Sequence, residues 1–195
     1  VQGISNPTFI NVTFSGNRAT MSGGGVYHSG GGQGSGASSF SNVTFDGNTG
    51  VALYASSFNR DNPPRFVIRN SVLWGNRGGE TTEDGSATIV LPGSLVDVNP
   101  LLGALADNGG STLTHLPQVG SPVIDAALDC KDATGNPIAT DQRGLARPQG
   151  TQCDIGAVEV PSHALTVTVT GAGGSVSAGT LPAPLGGGIA GCTSA

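Results

Sequence analysis

Asn11-Val12-Thr13-Phe14-Ser15-Gly16-Asn17 recurs as Asn42-Val43-Thr44-Phe45-Asp46-Gly47-Asn48 and, with drift, as Asn70-Ser71-Val72-Leu73-Trp74-Gly75-Asn76. The copies start 31 and then 28 residues apart. A period in this range marks a stacked, solenoid-type architecture. Alternation puts Val12 and Phe14, Val43 and Phe45, and Ser71 and Leu73 on one face of an extended strand. Stacking such rungs about 4.8 Å apart buries that face continuously, with Phe14, Phe45 and Leu73 as its core. The Asn residues that bracket each copy (Asn11, Asn42 and Asn70; Asn17, Asn48 and Asn76) can form ladders that bond to turn backbone and to one another. Asn11-Val12-Thr13 and Asn42-Val43-Thr44 also match the N-glycosylation sequon, but the ladder explains both without modification.

Between copies there is room for two further short strands. Gly25-Val26-Tyr27 and Ser39-Phe40 fit between the first two copies. Val51-Ala52-Leu53-Tyr54 and Phe66-Val67-Ile68 fit between the next two. Ala87–Leu91 and Ser94–Val98 read as two more strands. The Gly/Ser run from Ser22 to Ser39 reads as a flexible loop, and Gly78–Ser86 as a polar loop. The expected fold class is all-β: a right-handed parallel β-helix over residues 1–160, with a capping region at about 99–160. Residues 161–195 are expected to form a partial β module.

Composition narrows function. Charged residues make up 11% of the chain, with 8 Lys+Arg against 13 Asp+Glu. Scattered cations and a net charge of −5 exclude a phosphate-neutralising nucleic-acid surface. No run approaches the roughly 20 apolar residues of a membrane span, so membrane insertion is not expected. Cys130 and Cys153 bracket a Gly/Pro/Asp-rich loop. A disulfide there would stabilise the fold by about 3 kcal/mol in the chain-entropy account; two free buried thiols are the alternative, and an export setting favours the bond. Cys192 is left without an assigned partner.

The Thr-Phe repeats bracketed by Gly-Asn, with Gly23-Gly24-Gly25-Val26-Tyr27, resemble the repeats of polymorphic outer-membrane-type β-helix proteins. Asn99-Pro100-Leu101-Leu102-Gly103, Asp107-Asn108-Gly109-Gly110-Ser111-Thr112-Leu113-Thr114-His115, Gly120-Ser121-Pro122-Val123-Ile124-Asp125-Ala126, Asp141–Gly150 and Cys153–Glu159 look like the region that ends many bacterial surface β-helix proteins, the choice-of-anchor Q type. The resemblance covers roughly residues 1–160 and implies export and placement near a cell-surface anchor. It supplies no catalytic residues. Ala164–Thr170, with a following turn, resembles the opening hairpin of a divergent internalin-type B repeat.

The remaining polar residues carry specific expectations. Arg143 or Arg147 is expected to pair with Asp141 or Asp154 and close the last coil, because an open end is an exposed sheet edge. Asp107, Asp125, Asp129 and Asp154 are the candidate calcium ligands; such a site needs about six to eight converging oxygens, and turn chemistry accounts for each Asp separately. No other cofactor is expected. Asp46, Asp61, Glu80, Glu83 and Asp84 are the carboxylates a glycosidase could use, but their spacing defines no pair. His28, His115 and His163 lie in no nucleophile motif. Leu165, Val167 and Val169 alternate on a strand that could pair with another chain. The expected function is a secreted, cell-surface structural or adhesive module that meets surface or matrix components and glycans. A filament subunit that binds itself and a polysaccharide-active β-helix are the alternatives.

Overall fold

The computed structural model describes residues 6–20, 22–30, 36–57 and 63–161. Among the described residues eleven strands form three parallel sheets, and none is helical. The first layer is β1 (Thr8–Ile10), β2 (Thr13–Ser15) and β3 (Val26–Gly30). The second is β4 (Ala37–Ser41), β5 (Thr44–Asp46) and β6 (Leu53–Ser57), and the third is β7 (Arg65–Arg69), β8 (Val72–Trp74) and β9 (Thr81–Asp84). β10 (Thr88–Val90) and β11 (Leu95–Val96) make a fourth layer of two strands. The sheets run β1-β4-β7-β10, β2-β5-β8-β11 and β3-β6-β9. Each of the first three layers thus adds one strand to each sheet in turn, and the fourth adds one to two of them, an arrangement consistent with a parallel β-helix.

The repeat sets the register. Thr13 pairs with Thr44 and Thr44 with Val72, while Phe14 pairs with Phe45 and Phe45 with Leu73. Inward side chains stack in columns. Phe14 lies on Phe45 at 4.7 Å and 4°, and Phe9 on Phe40 at 4.8 Å and 8°. Phe40, Phe45, Leu53, Phe66, Ile68 and Leu73 are fully buried between the three sheets. The corners repeat as well. Asn11, Asn42 and Asn70 have φ of 55°, 52° and 49°, and Gly16, Gly47 and Gly75 have φ of 64°, 63° and 67°. Asn and Gly are the residues that enter this left-handed region at least cost.

Two stretches depart from expectation. Thr81–Asp84, expected as loop, is β9, and it pairs with β6 alone. The stretch 22–39, expected as a flexible loop although Gly25-Val26-Tyr27 and Ser39-Phe40 were expected to be strands, contains β3 and the start of β4, which are longer than those two strands. The segment from Asn99 to Pro161 holds only isolated bridges, such as Leu102 with Pro117 and Thr140 with Ala146. It packs on the outer face of the β2-β5-β8-β11 sheet. There Val72, Val123, Ala127, Cys153 and Ile155 form a second core, with Trp74 and Leu95 against it. Residues 162–195 lie outside the described residues, and with them Leu165, Val167, Val169 and Cys192.

Candidate functional site

Among the described residues, the flank under the C-terminal segment holds the densest set of polar side-chain contacts. Its contacts climb all three complete layers. Asn11 Nδ2 donates to Thr140 O at 2.7 Å, Asn42 Nδ2 to Asp154 O at 3.2 Å, and Asn70 Nδ2 to Asp129 O at 2.9 Å. These three Asn were expected to bond to one another and to turn backbone; the bonds they make here are to main chain of the C-terminal segment. Their left-handed backbone instead turns each amide out of the corner, where it clips the segment. Gly156 shows how close the approach is: its N–H donates to Asn70 O at 2.8 Å, and a Cβ there would stand 2.9 Å from Thr44 Oγ1. The segment therefore braces the side of the stack as far as the first layer, where it was expected to close the last coil.

A disulfide joins Cys130 and Cys153 within this brace, with Cα atoms 5.6 Å apart. Beside it lies a buried ionic cluster. Arg143 donates through Nε and Nη2 to Asp141 Oδ2 at 2.9 and 2.8 Å, a two-pronged pair. Its remaining nitrogen reaches Asn108 O, and Nη2 also reaches Glu159 O. Arg147 pairs with Glu159, at 2.5 Å, and meets Asp154 only through its main-chain oxygen. Glu159 further accepts the N–H groups of Asp154 and Gln149. Asp154 accepts the N–H of Asp125 at 2.7 Å and of Val160 at 2.6 Å. Three carboxylates thus face two guanidiniums, an excess of one negative charge in a dry place. Burial is the main force raising the Asp154 carboxyl to about 7, with Glu159 adding to it. Burial also raises Glu159 and lowers Arg147, each opposed by the other's charge.

Asn17, Asn48 and Asn76 form a true ladder. Asn17 N and Nδ2 donate to Asn48 Oδ1 at 2.9 and 3.0 Å. Asn48 N and Nδ2 donate to Asn76 Oδ1 at 2.9 and 2.7 Å. Asn76 N and Nδ2 then donate to the two oxygens of Glu80. Glu80, considered from sequence as a carboxylate for hydrolysis, stands where a fourth Asn would be. Burial raises its carboxyl, against the two Asn76 donors.

The other singled-out residues are dispersed. Asp107 accepts the Gly109 N–H at 3.0 Å, a turn contact. Asp125 accepts the Gln152 N–H at 3.0 Å, and Asp129 pairs with Arg69 at 2.6 Å. With Asp154 engaged as above, the four calcium candidates do not converge. Among the described residues no three His, Cys, Asp or Glu side chains are grouped to hold a metal. Glu83 accepts the Ile89 N–H, and Asp84 the Tyr54 hydroxyl at 3.4 Å. His28 is buried against Ser38 and Phe66. Asp61 and His163 lie outside the described residues.

Sequence reasoning missed one contact set. His115 Nε2 lies 2.8 Å from Ser15 Oγ and 3.6 Å from Asp46 Oδ2, and its Nδ1 lies 2.8 Å from Gly103 O. The carbonyl fixes the proton on Nδ1, so Nε2 receives the Ser15 hydroxyl when the ring is neutral. Both Ser15 and Asp46 point outward on the braced sheet, so the histidine fastens the segment to the first two layers. No signal in the order of residues pairs positions 100 apart. A last feature faces away from the brace: Tyr27 and Tyr54 stack at 5.5 Å on the outside of the β3-β6-β9 sheet, with Tyr27 42% exposed.

Compared with known proteins, the chain matches no family model, no curated protein and no solved structure.

Proposed function

We propose that this chain is a non-enzymatic structural or adhesive module of a secreted, cell-surface protein, wound as a right-handed parallel β-helix. One observation carries the reading: the polar side chains that could do chemistry are spent on bracing. Asn11, Asn42 and Asn70 clip the C-terminal segment, Arg143 pairs with Asp141, and Arg147 pairs with Glu159. Such cross-linking of successive layers resists shear, as a stalk requires. The disulfide is compatible with an oxidising compartment. No helix of the described residues is long and apolar enough to cross a membrane. The motif resemblance in the C-terminal region points the same way.

The test is a panel of neutral and acidic polysaccharides and immobilised matrix proteins, scored both for retention of the protein and for released product. Retention without product, or neither together with high resistance to protease, agrees with the proposal. New reducing ends or unsaturated sugars overturn it.

The Tyr27–Tyr54 stack favours a second reading, a glycan-binding face. Tyrosine offers an apolar ring and a hydroxyl together, the combination that suits a sugar surface. Loss of retention in Tyr27→Ala alone, with unchanged stability, would support it; equal retention would dismiss it.

A further inference from the structure

Among the described residues the aromatic rings sort by face. The Phe rings lie in the inner columns, and Trp74 lies under the brace. Tyr27 and Tyr54 alone stand on an outer face open to solvent, that of the β3-β6-β9 sheet, where Tyr27 is 42% exposed. The parallel register continues their column into Thr82, and Asp84 stands two residues further along β9 on the same face. Asp84 is exposed and accepts the Tyr54 hydroxyl at 3.4 Å. Among the described residues Asp84 enters no ion pair, and Glu83 beside it is exposed as well. The face thus joins two amphipathic rings to negative charge that no described cation neutralises.

Spacing and charge choose the occupant. The ring centroids of Tyr27 and Tyr54 are 5.5 Å apart, close to the length of one sugar unit in an extended glycan. An extended peptide sets its same-side side chains about 6.6 Å apart, out of step with the layers. The carboxylate of Asp84 repels uronates and sulfated sugars and attracts a protonated amine. We infer that this face binds an extended glycan carrying free amino groups, laid along the layers with successive sugars at Tyr27 and Tyr54 and an ammonium at Asp84. The inference rests on the glycan-binding reading of the tyrosine stack and adds the class of sugar. Each phenol presents an apolar ring and a hydroxyl to a sugar. Asp84 supplies the acceptor for the amine. N-acetylation there removes the positive charge and sets a bulkier neutral amide against the carboxylate.

The experiment titrates the full chain calorimetrically with oligomers of equal length: glucosamine, N-acetylglucosamine, glucose, galacturonate and, as a basic peptide, oligolysine. The glucosamine oligomer is expected to bind about fivefold tighter than its N-acetylated form, the yield of one exposed ion pair at low salt. Galacturonate is expected not to bind. Asp84→Asn should abolish the preference for the amine. Asp107→Asn, which removes the same charge from a turn of the C-terminal segment, should leave it intact. Tyr27→Ala should weaken binding of the sugars by about fivefold; if it lowers the urea midpoint, Asp84→Asn at an exposed strand end carries the test. Equal binding of the glucosamine, N-acetylglucosamine and glucose oligomers, all weakened by Tyr27→Ala, overturns the amine preference and leaves the glycan face standing. Binding of none overturns both. Oligolysine bound as tightly as glucosamine, with the same dependence on Tyr27 and Asp84, makes a basic peptide the occupant and overturns the inference. Equal losses in Asp84→Asn and Asp107→Asn overturn it too, because the attraction would then come from net charge alone.

Discussion

Arg147 and Glu159 form an ion pair at 2.5 Å with both side chains fully buried, and each also holds main chain of the brace: Arg147 donates to Gly156 O, and Glu159 accepts from Gln149 N. Desolvating both charges offsets much of their attraction, so the pair contributes little net stability as a unit. Removing one partner is different, because the other is left charged and dry. Glu159→Ala should cost about 3–5 kcal/mol in urea unfolding, and Arg147→Met paired with Glu159→Leu should cost much less. A double variant no better than Glu159→Ala would show that the loss is packing and not charge.

At Asn42 backbone and side chain make separable contributions. Its φ of 52° disfavours any β-carbon residue that lacks a local amide, and its Nδ2 clips Asp154 O. Asn42→Gly keeps the corner and loses only the clip, an expected cost of about 1 kcal/mol. Asn42→Ala should cost about 1–2 kcal/mol more, the left-handed penalty. Equal midpoints for the two variants would mean that the corner relaxes.

The Cys130–Cys153 bond spans 23 positions, and Cys153 is fully buried. Unfolding under reducing conditions should lower stability by about 3–4 kcal/mol, the loop-closure value for this length. Burial predicts slow reduction of the native protein by mild thiols, followed by mass spectrometry of alkylated product; rapid native reduction would show that the brace opens readily.

What could be read from the residue order was whatever repeats. Asn42-Val43-Thr44-Phe45-Asp46-Gly47-Asn48 encodes two corners, one inward ring and one ladder rung, and each was legible because its copies share a register. β9 was hidden because Thr81-Thr82-Glu83-Asp84 pairs on a single side and keeps its charged residues at the surface. Glu80 was misread because a carboxylate takes the place of an amide in a column otherwise made of Asn. The brace was legible as turns and as a cysteine pair, but not as a position. Its anchors, Thr140 for Asn11 and Asp154 for Asn42, are more than 100 residues away in the chain. Long-range pairing of that kind follows only from the packed surface. Of the expected pairings of Arg143 or Arg147 with Asp141 or Asp154, Arg143 with Asp141 is present; Arg147 takes Glu159, because the Asp154 carboxylate is taken by the N–H groups of Asp125 and Val160.

The buried charge excess predicts an unusual pH profile. Asp154 titrates at about 7 in the folded chain against 3.8 when unfolded. Between those values the folded state binds the extra proton, so this group's stabilisation is full below about pH 4 and is lost as pH rises through about 7. Asp132 works in the opposite sense. Desolvation alone would raise it, but donation from Thr134 and Asn136 outweighs that and holds it at about 2. Its contribution is present above 3.8 and is lost as pH falls toward 2. The two together place their joint optimum at about pH 4, where Asp132 is ionised and Asp154 is still protonated in the folded chain. Urea midpoints taken from pH 3 to 8 should therefore fall between about pH 4 and 7 in the parent and level off above. Asp154→Asn should flatten that limb, since its amide carries no proton equilibrium, and Asp132→Asn should flatten the acid limb only. A parent profile that rises from pH 5 to 8 would place the spare proton elsewhere and show that Asp154 stays ionised, held by its two main-chain donors.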